Sequence, residues 1–204
     1  ENTPSLQDQL NLLDHQQNKL AIQVYTLGTF RVVVNGEEIK AKAWGRDKTI
    51  QLFQYLITAR HHRGLHKELI ADRIWEEVGK SVDQTFKVAM HGINKVLEPN
   101  RKSRSEPQYI LRQGITYQLD LDKIWIDAEA MEKLITIGNQ AMAHHPALAQ
   151  AAYQKAVVLH HGIYLPNRLY EDWSTAERER LQLLALGAMV DLAKLMVENN
   201  PPES

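Results

Sequence analysis

One predicted helix, over residues 81–97, carries side chains whose types and spacing suit the edges of DNA bases. These candidate DNA-binding residues recur mainly at three- and four-residue steps, which places them on one helix face. Amide side chains can bind adenine in the major groove, and cationic side chains can bind guanine or phosphate. The residues assigned to this face are Gln84, Lys87, Val88, His91, Asn94 and Lys95.

The segments around this helix supply further cations. The opposite face of the helix is apolar and is expected to be buried. A basic loop follows, and then a short hairpin with predicted arms at 109–111 and 116–119 and a tip at 113–114. A two-faced helix, a basic loop and a hairpin, in this order, are typical of a recognition helix and its wing. The cations assigned to phosphate or minor-groove contacts are Arg46, Lys48, Arg101, Lys102, Arg104 and Arg112.

Three histidine pairs are the other candidates for chemistry, as metal ligands. Neighbouring helical residues point about 100° apart, and no cysteine or carboxylate completes a ligand set, so we expect no metal site. The sequence has no glycine-rich phosphate loop, HExxH or GxSxG motif, and we therefore expect neither an enzyme nor a cofactor. The pairs are His61-His62, His144-His145 and His160-His161.

Charge is distributed unevenly along the 204 residues, although the formal net charge is only −1. Residues 22–119 contain 16 Lys and Arg against 10 Asp and Glu, whereas residues 120–204 contain 7 against 12. A basic unit followed by an acidic one is expected when only the first unit meets phosphate. There is no cysteine and no apolar run of about 18 residues, which favours a cytoplasmic protein without a membrane span.

The hydrophobic periodicities divide the chain into three parts. Residues 1–21 predict a linker helix or tail, with a dimer contact as the alternative. Residues 22–121 predict a winged-helix DNA-binding domain, and residues 122–199 predict a shorter, helical domain. Leu69 and Trp173 are expected in the two cores. The first domain is expected to contain strands at 22–28, 30–34 and 38–40 and helices at 47–60, 66–77 and 81–97.

Short motifs in both domains carry a resemblance to known families. The first domain resembles the OmpR/PhoB-type winged helix through "ELIADRIW" at 68–75, "INKVL" at 93–97 and "YQL" at 117–119. The second resembles the bacterial transcriptional activator domain (BTAD) of activators of the antibiotic-regulatory-protein (SARP) type. Its matching motifs are "IDA" at 126–128, "AVVLHHG" at 156–162, "YEDW" at 170–173 and "ERERL" at 177–181.

The resemblance implies an α+β winged helix-turn-helix domain followed by an all-α helical domain like a tetratricopeptide (TPR) repeat. This helical domain has fewer helices than the corresponding domain of the family. It implies a regulator that binds double-stranded DNA and activates transcription. The loop before the recognition helix engages RNA polymerase holoenzyme in winged helices of this type, so Glu76, Glu77 and Lys80 are expected polymerase contacts. A homodimer and an upstream sensor or regulatory domain are further partners left open.

Three positions depart from the family pattern and imply a different operator sequence. Relatives have Leu-Arg-Arg or Leu-Arg-Lys at 93–95, often a basic residue at Gly92, and usually glycine at Thr116. The alternative function is a protein-interaction scaffold, in which the winged helix and the helical repeat both bind protein partners.

Overall fold

The computed structural model describes residues 4–75 and 80–199, without the side chains at positions 80, 81 and 199. The chain forms two compact units, each described separately below. One unit is Val32–Ile124, and the other joins the residues up to Arg31 to those from Trp125 onward. The predicted boundary at 121/122 is therefore close to the observed one, but residues 22–31 belong to the helical unit instead of the winged-helix unit.

The predicted helices at 47–60, 66–77 and 81–97 correspond to α2, α3 and α4, and the two hairpin arms correspond to β5 and β6. Two 3₁₀ turns, Ala41–Trp44 and Pro166–Arg168, add to these elements. In chain order the helices and strands are α1 (Leu6–Lys19), β1 (Ile22–Tyr25), β2 (Arg31–Val34), β3 (Glu37–Glu38), α2 (Asp47–Thr58), β4 (Leu65–His66), α3 (Lys67–Ile74), α4 (Lys80–Leu97), β5 (Ile110–Gln113), β6 (Thr116–Leu119), β7 (Ile124–Ile126), α5 (Asp127–Ala141), α6 (Pro146–Leu159) and α7 (Asp172–Asn199).

Aromatic contacts pack the helices of the unit Val32–Ile124 against neighbouring segments. Trp44 stacks on Phe53 of α2 with 5.4 Å between ring centroids. Phe86 of α4 contacts Trp75, just after α3, at 6.2 Å and Tyr117 of β6 at 5.1 Å. The apolar face of α4 is buried as predicted. Because this face is fixed in the core, the polar face of α4 must point away from it.

Two groups of antiparallel strands frame these helices. Strands β2 and β3 form a hairpin whose turn residues, Asn35 and Gly36, both have positive φ (51° and 84°), as the predicted Asn-Gly turn requires. A separate three-stranded sheet has the order β4-β6-β5. Strand β4 was not predicted, because two residues are too few for an alternating pattern. Leu69 of α3 was predicted to be buried but is exposed, whereas Ile70 and Ile74 are buried.

A buried carboxylate explains why the first strand belongs to the helical unit. Asp127, the first residue of α5, is 1% exposed and accepts hydrogen bonds from the backbone N–H groups of Thr26, Leu27 and Ala128, at 2.8–2.9 Å. The Thr26 hydroxyl donates a further bond at 2.6 Å. Burial raises the pKa of Asp127, while these hydrogen bonds oppose that shift. The segment after β1 is thus tied to the beginning of α5, and the "IDA" motif has a structural role.

The helical unit is built from closely packed antiparallel helices. Gly138 of α5 lies against the ring of Tyr153 of α6, so near that a Cβ at 138 would stand 2.5 Å from Tyr153 Cε1. The predicted linker, α1, also belongs to this unit, because Asp14 of α1 accepts hydrogen bonds from Lys155 of α6 at 2.7 Å. Trp173 is partly buried, so most of its side chain is covered as expected, and its indole N–H donates to the Glu171 carboxylate at 3.2 Å.

Among the helices of residues 4–75 and 80–199, none combines the length and the hydropathy that a membrane span requires.

Candidate nucleic-acid interface

Five of the six residues predicted to contact bases form an exposed stripe on α4. The stripe consists of Gln84, Lys87, Val88, His91 and Lys95, whose steps of three, one, three and four keep them on one side of the helix. It contains an amide, two ammonium groups and an imidazole, which are hydrogen-bonding groups, and Val88, an apolar group that can meet a thymine methyl. The face can therefore offer both polar and apolar contacts to base edges.

Asn94 does not belong to this stripe and corrects the prediction. It is 8% exposed, and its Oδ1 lacks a hydrogen-bond partner among the described residues. Position 94 lies one residue from the buried Ile93 and two from the buried Val96, at the edge between the two faces, and the packing of α4 turns it inward. The amide of Asn94 is consequently unable to reach a base edge from this position.

Gly92 is explained by the packing of α4 on α2. A Cβ at position 92 would stand 2.9 Å from Cγ2 of Thr49, a buried residue of α2. Such contacts are shorter than real Cβ atoms tolerate, and the branched Thr49 side chain has little freedom to move. Glycine at position 92 therefore serves helix packing, since a larger side chain there would require α2 or Thr49 to shift.

A carboxylate lies next to the stripe and forms ion pairs with the two nearest ammonium groups. Asp83 accepts a hydrogen bond from Lys67 of α3, and its other oxygen lies 2.7 Å from the ammonium of Lys87. The hydrogen bond from Lys67 and then that from Lys87 lower the pKa of Asp83 to about 2. The same bond raises the pKa of Lys67. Lys87 is thus held in place at the beginning of the stripe, and part of its charge is neutralised.

The hairpin β5–β6 has a two-residue tip, one position later than predicted. Gln113 pairs with Thr116, which leaves Gly114 and Ile115 as the loop. Gly114 has φ 61°, a conformation that glycine adopts without strain. Arg112 donates from Nε to the Gly114 carbonyl oxygen at 2.9 Å and remains exposed. Its guanidinium is thereby held next to the tip, 5.8 Å from the centre of the Tyr117 ring.

Of the remaining predicted phosphate contacts, some are exposed and others donate hydrogen bonds to backbone carbonyl oxygens. Arg46, Lys102 and Arg104 are exposed. The Lys48 ammonium donates to the Ile74 carbonyl oxygen at the end of α3, at 2.6 Å, and so retains two of its three donors. Arg101 donates to the Ser105 carbonyl oxygen at 2.9 Å, which shapes the loop after α4.

The predicted polymerase contacts lie mostly outside the residues that the structure describes. Glu76 and Glu77 lie outside the described residues, and Lys80 is described only through its backbone, as the first residue of α4.

Two residues of this surface were missed by the sequence analysis. Lys67 contacts Asp83, 16 positions later, and so links α3 to α4; the sequence has no local pattern that reports such a contact. Ile115 is 55% exposed in the two-residue tip of the hairpin, three positions after Arg112. The Gly114-Ile115 dipeptide between two strand patterns is the signal that could have indicated an exposed apolar tip.

The fold is of a mixed type: an α/β first part that contains two sheets, followed by a helical region. No family model matches the chain, and no curated protein matches it. Among solved structures, Mycobacterium tuberculosis EmbR in complex with a low-affinity phosphopeptide has a TM-score of 0.59, with 15% sequence identity over 88% of this chain. The likeness extends over 44% of the EmbR chain, so this chain spans less than half the length of that protein. The likeness shows that this chain shares the fold of the matched part of EmbR.

Proposed function

We propose that this protein is a sequence-specific, DNA-binding transcription regulator of the SARP type that acts as an activator. The observation that carries the proposal is the exposed stripe of α4, a helix whose other face is buried in the unit Val32–Ile124. The likeness in fold to EmbR supports the class of protein. The proposed place of action is the cytoplasm, where DNA and polymerase are available.

In the proposed complex, α4 lies in the major groove. Gln84 pairs with an adenine edge, while Lys87 and Lys95 bind guanine or phosphate. His91, one turn after Lys87, donates to a base acceptor, and Val88 contacts a thymine methyl. Asn94 takes no part, because its amide is buried. The operator is expected to differ from those of relatives that have arginine at this position.

The hairpin β5–β6 acts as the wing. Arg112 binds phosphate or enters the minor groove beside the α4 site, and Ile115 is exposed at the tip of the same hairpin. Arg46, Lys48, Lys102 and Arg104 supply further phosphate contacts. These contacts carry no sequence information, but they fix the register of α4 on the duplex.

The helical unit is proposed to be a TPR-like BTAD. The segment that contains Glu76, Glu77 and Lys80 is proposed to engage RNA polymerase holoenzyme. Acidic residues in an otherwise basic unit suit a protein partner better than they suit phosphate. No catalytic step and no cofactor belong to this proposal.

Two experiments test DNA binding. A duplex is first selected from a randomised pool, and its affinity is then measured by fluorescence anisotropy at several KCl concentrations. Each neutralised phosphate contributes about −0.9 to the slope of log K against log salt, so several contacts produce a steep dependence. A scrambled duplex should bind more weakly. Failure to enrich any duplex, together with a flat salt dependence, would overturn the proposal in favour of a protein-interaction scaffold.

A further inference from the structure

An apolar stripe runs along the outer side of α7, the last helix of the helical unit. Its members recur at steps of three, four, three and four residues, and all are exposed. Leu183 is 70% exposed and Val197 62%, although both are large apolar side chains. Residues on the other side of α7, such as Leu181, Ala185 and Leu195, are buried. The stripe consists of Leu183, Leu186, Val190, Ala193 and Val197.

The spacing of this stripe is that of a seam between two helices. An alternating three-four repeat averages 3.5 residues, the period with which helices in coiled coils bury apolar side chains against each other. One side of α7 already satisfies the packing of its own unit. The second apolar side indicates that another helix covers it.

Two charged residues beside the stripe, Glu179 and Lys194, indicate a second copy of α7 as that helix. Glu179 precedes the stripe by one step of four residues, and Lys194 lies within its last turn. The point midway between them along α7 falls between Leu186 and Gly187. Rotating a second α7 about that point by half a turn makes it antiparallel to the first and brings each Glu179 to the other copy's Lys194. The surface is therefore complementary to itself, as a two-fold interface must be.

The same rotation produces a knob-into-hole contact at the centre of the interface. Leu186 would enter a hole bounded by Leu183, Leu186, Gly187 and Val190 of the second copy, which is a knob-into-hole contact. A Cβ at Gly187 would meet nothing within 4 Å in its own chain, so glycine is not required there by the monomer. At the crossing point of two helices, glycine allows a close approach. We propose that α7 is a self-association surface, on which a second copy of this chain packs its own α7 in the antiparallel direction.

The expected dimer is a weak one. From Leu183 to Val197 the stripe spans 14 helical steps, a length of about 21 Å at 1.5 Å per residue. A stable interface usually buries about 800 Å² on each partner, and a single helix face of this length supplies less. Dimerisation should therefore depend on protein concentration. The inference does not rest on DNA binding, and the two can fail separately.

A single cysteine tests the geometry directly, because the chain has no cysteine of its own. Leu186→Cys places a thiol beside its counterpart at the proposed two-fold axis, so mild oxidation should produce a disulfide-linked dimer. Val158→Cys is the matched control, since Val158 is 68% exposed on α6 and lies outside the stripe. Equal cross-linking of both variants, or of neither, would contradict the proposal.

Sedimentation velocity at several concentrations of the 204-residue chain tests the charge complementarity. Glu179→Lys alone and Lys194→Glu alone should each shift the protein to the monomer, because each places like charges opposite each other. The double variant Glu179→Lys/Lys194→Glu should restore the dimer. Circular dichroism would check that the helices remain intact, since Lys194 also pairs with Asp191 at 2.9 Å. A chain that is monomeric at every concentration, or a double variant that is not rescued, would overturn the proposal.

Discussion

Gly92 of α4 lies so close to Thr49 of α2 that a Cβ at position 92 would stand 2.9 Å from the Thr49 Cγ2 atom. The proposed recognition helix is therefore positioned by a small-residue contact at its buried edge. Gly92→Ala should destabilise the protein despite the better helix propensity of alanine, because overpacking costs typically 1–3 kcal/mol. In a Thr49→Ala background the same change should be neutral or stabilising. Urea unfolding of the four proteins gives the coupling free energy, and additive effects would contradict the contact.

Lys87 and His91 are predicted to be required for DNA binding and dispensable for folding. Lys87→Glu with His91→Glu places two carboxylates against phosphate and base acceptors, so affinity for the selected duplex should fall at least tenfold, given about 1–3 kcal/mol per base contact. Thermal unfolding should change little, because both residues are exposed. Replacing Lys87 also removes its ion pair with Asp83 and places like charges one turn apart, which is a small effect at an exposed site.

A matched control changes the same residue types elsewhere in the same unit. Lys42→Glu with His62→Glu alters exposed side chains off α4 and should weaken binding much less. If both double variants bind equally, then α4 has no special role in recognition.

Asp83 is predicted to make stability depend on pH in the acidic range. Its pKa is lowered from 3.8 to about 2 in the folded state, so the carboxylate stabilises the protein above pH 3.8. This contribution declines as the pH falls from there and is lost below about 2. Asp83→Asn should remove that part of the acid dependence, as denaturant unfolding at pH values between 2 and 5 can measure. Parallel curves for the two proteins would show that the pairs with Lys67 and Lys87 contribute nothing.

The same Asp83→Asn variant is predicted to bind DNA more tightly at neutral pH. Without the carboxylate, Lys67 and Lys87 are released and the surface near α4 gains one positive charge. The gain should be larger at low salt than at high salt, because the added attraction is electrostatic. Anisotropy titrations at two KCl concentrations measure it, and weaker binding at both would indicate that Asp83 serves mainly to orient Lys87.

Arg112 is predicted to contact phosphate or the minor groove through the wing. Arg112→Ala should weaken binding to all duplexes similarly and reduce the magnitude of the salt slope by about 1. Arg112→Lys preserves the charge and should recover most of the affinity if phosphate is the target. A loss confined to the selected duplex would indicate that Arg112 reads bases instead.

Glu76 and Glu77 are predicted to separate activation from DNA binding. Replacing both with Lys should leave affinity for the selected duplex equal or slightly higher, since acids near DNA repel phosphate. Transcription by purified RNA polymerase holoenzyme from a template carrying that duplex should nevertheless decrease. Parallel loss of binding and transcription, or no change in either, would contradict a polymerase contact.

The helices α2, α3 and α4, the arms of the β5–β6 hairpin and the stripe on α4 could be predicted from the sequence, because they depend on local rules. Helical spacing places Gln84, Lys87 and His91 on one side whatever the rest of the chain does. The Asn35-Gly36 turn likewise requires only its own two residues, both of which adopt positive φ.

Tertiary packing decided the rest, since it depends on contacts between distant residues. Asn94 stood at the boundary between two faces, and the neighbours of α4 determined that its side chain is buried. Thr49 explains Gly92, and Lys67 neutralises Asp83, across separations that no periodicity reports. The assignment of β1 to the helical unit follows from the bonds that Asp127 accepts from residues about 100 positions earlier. A pattern of apolar residues specifies which side of a helix is buried, but only the folded chain specifies what covers it.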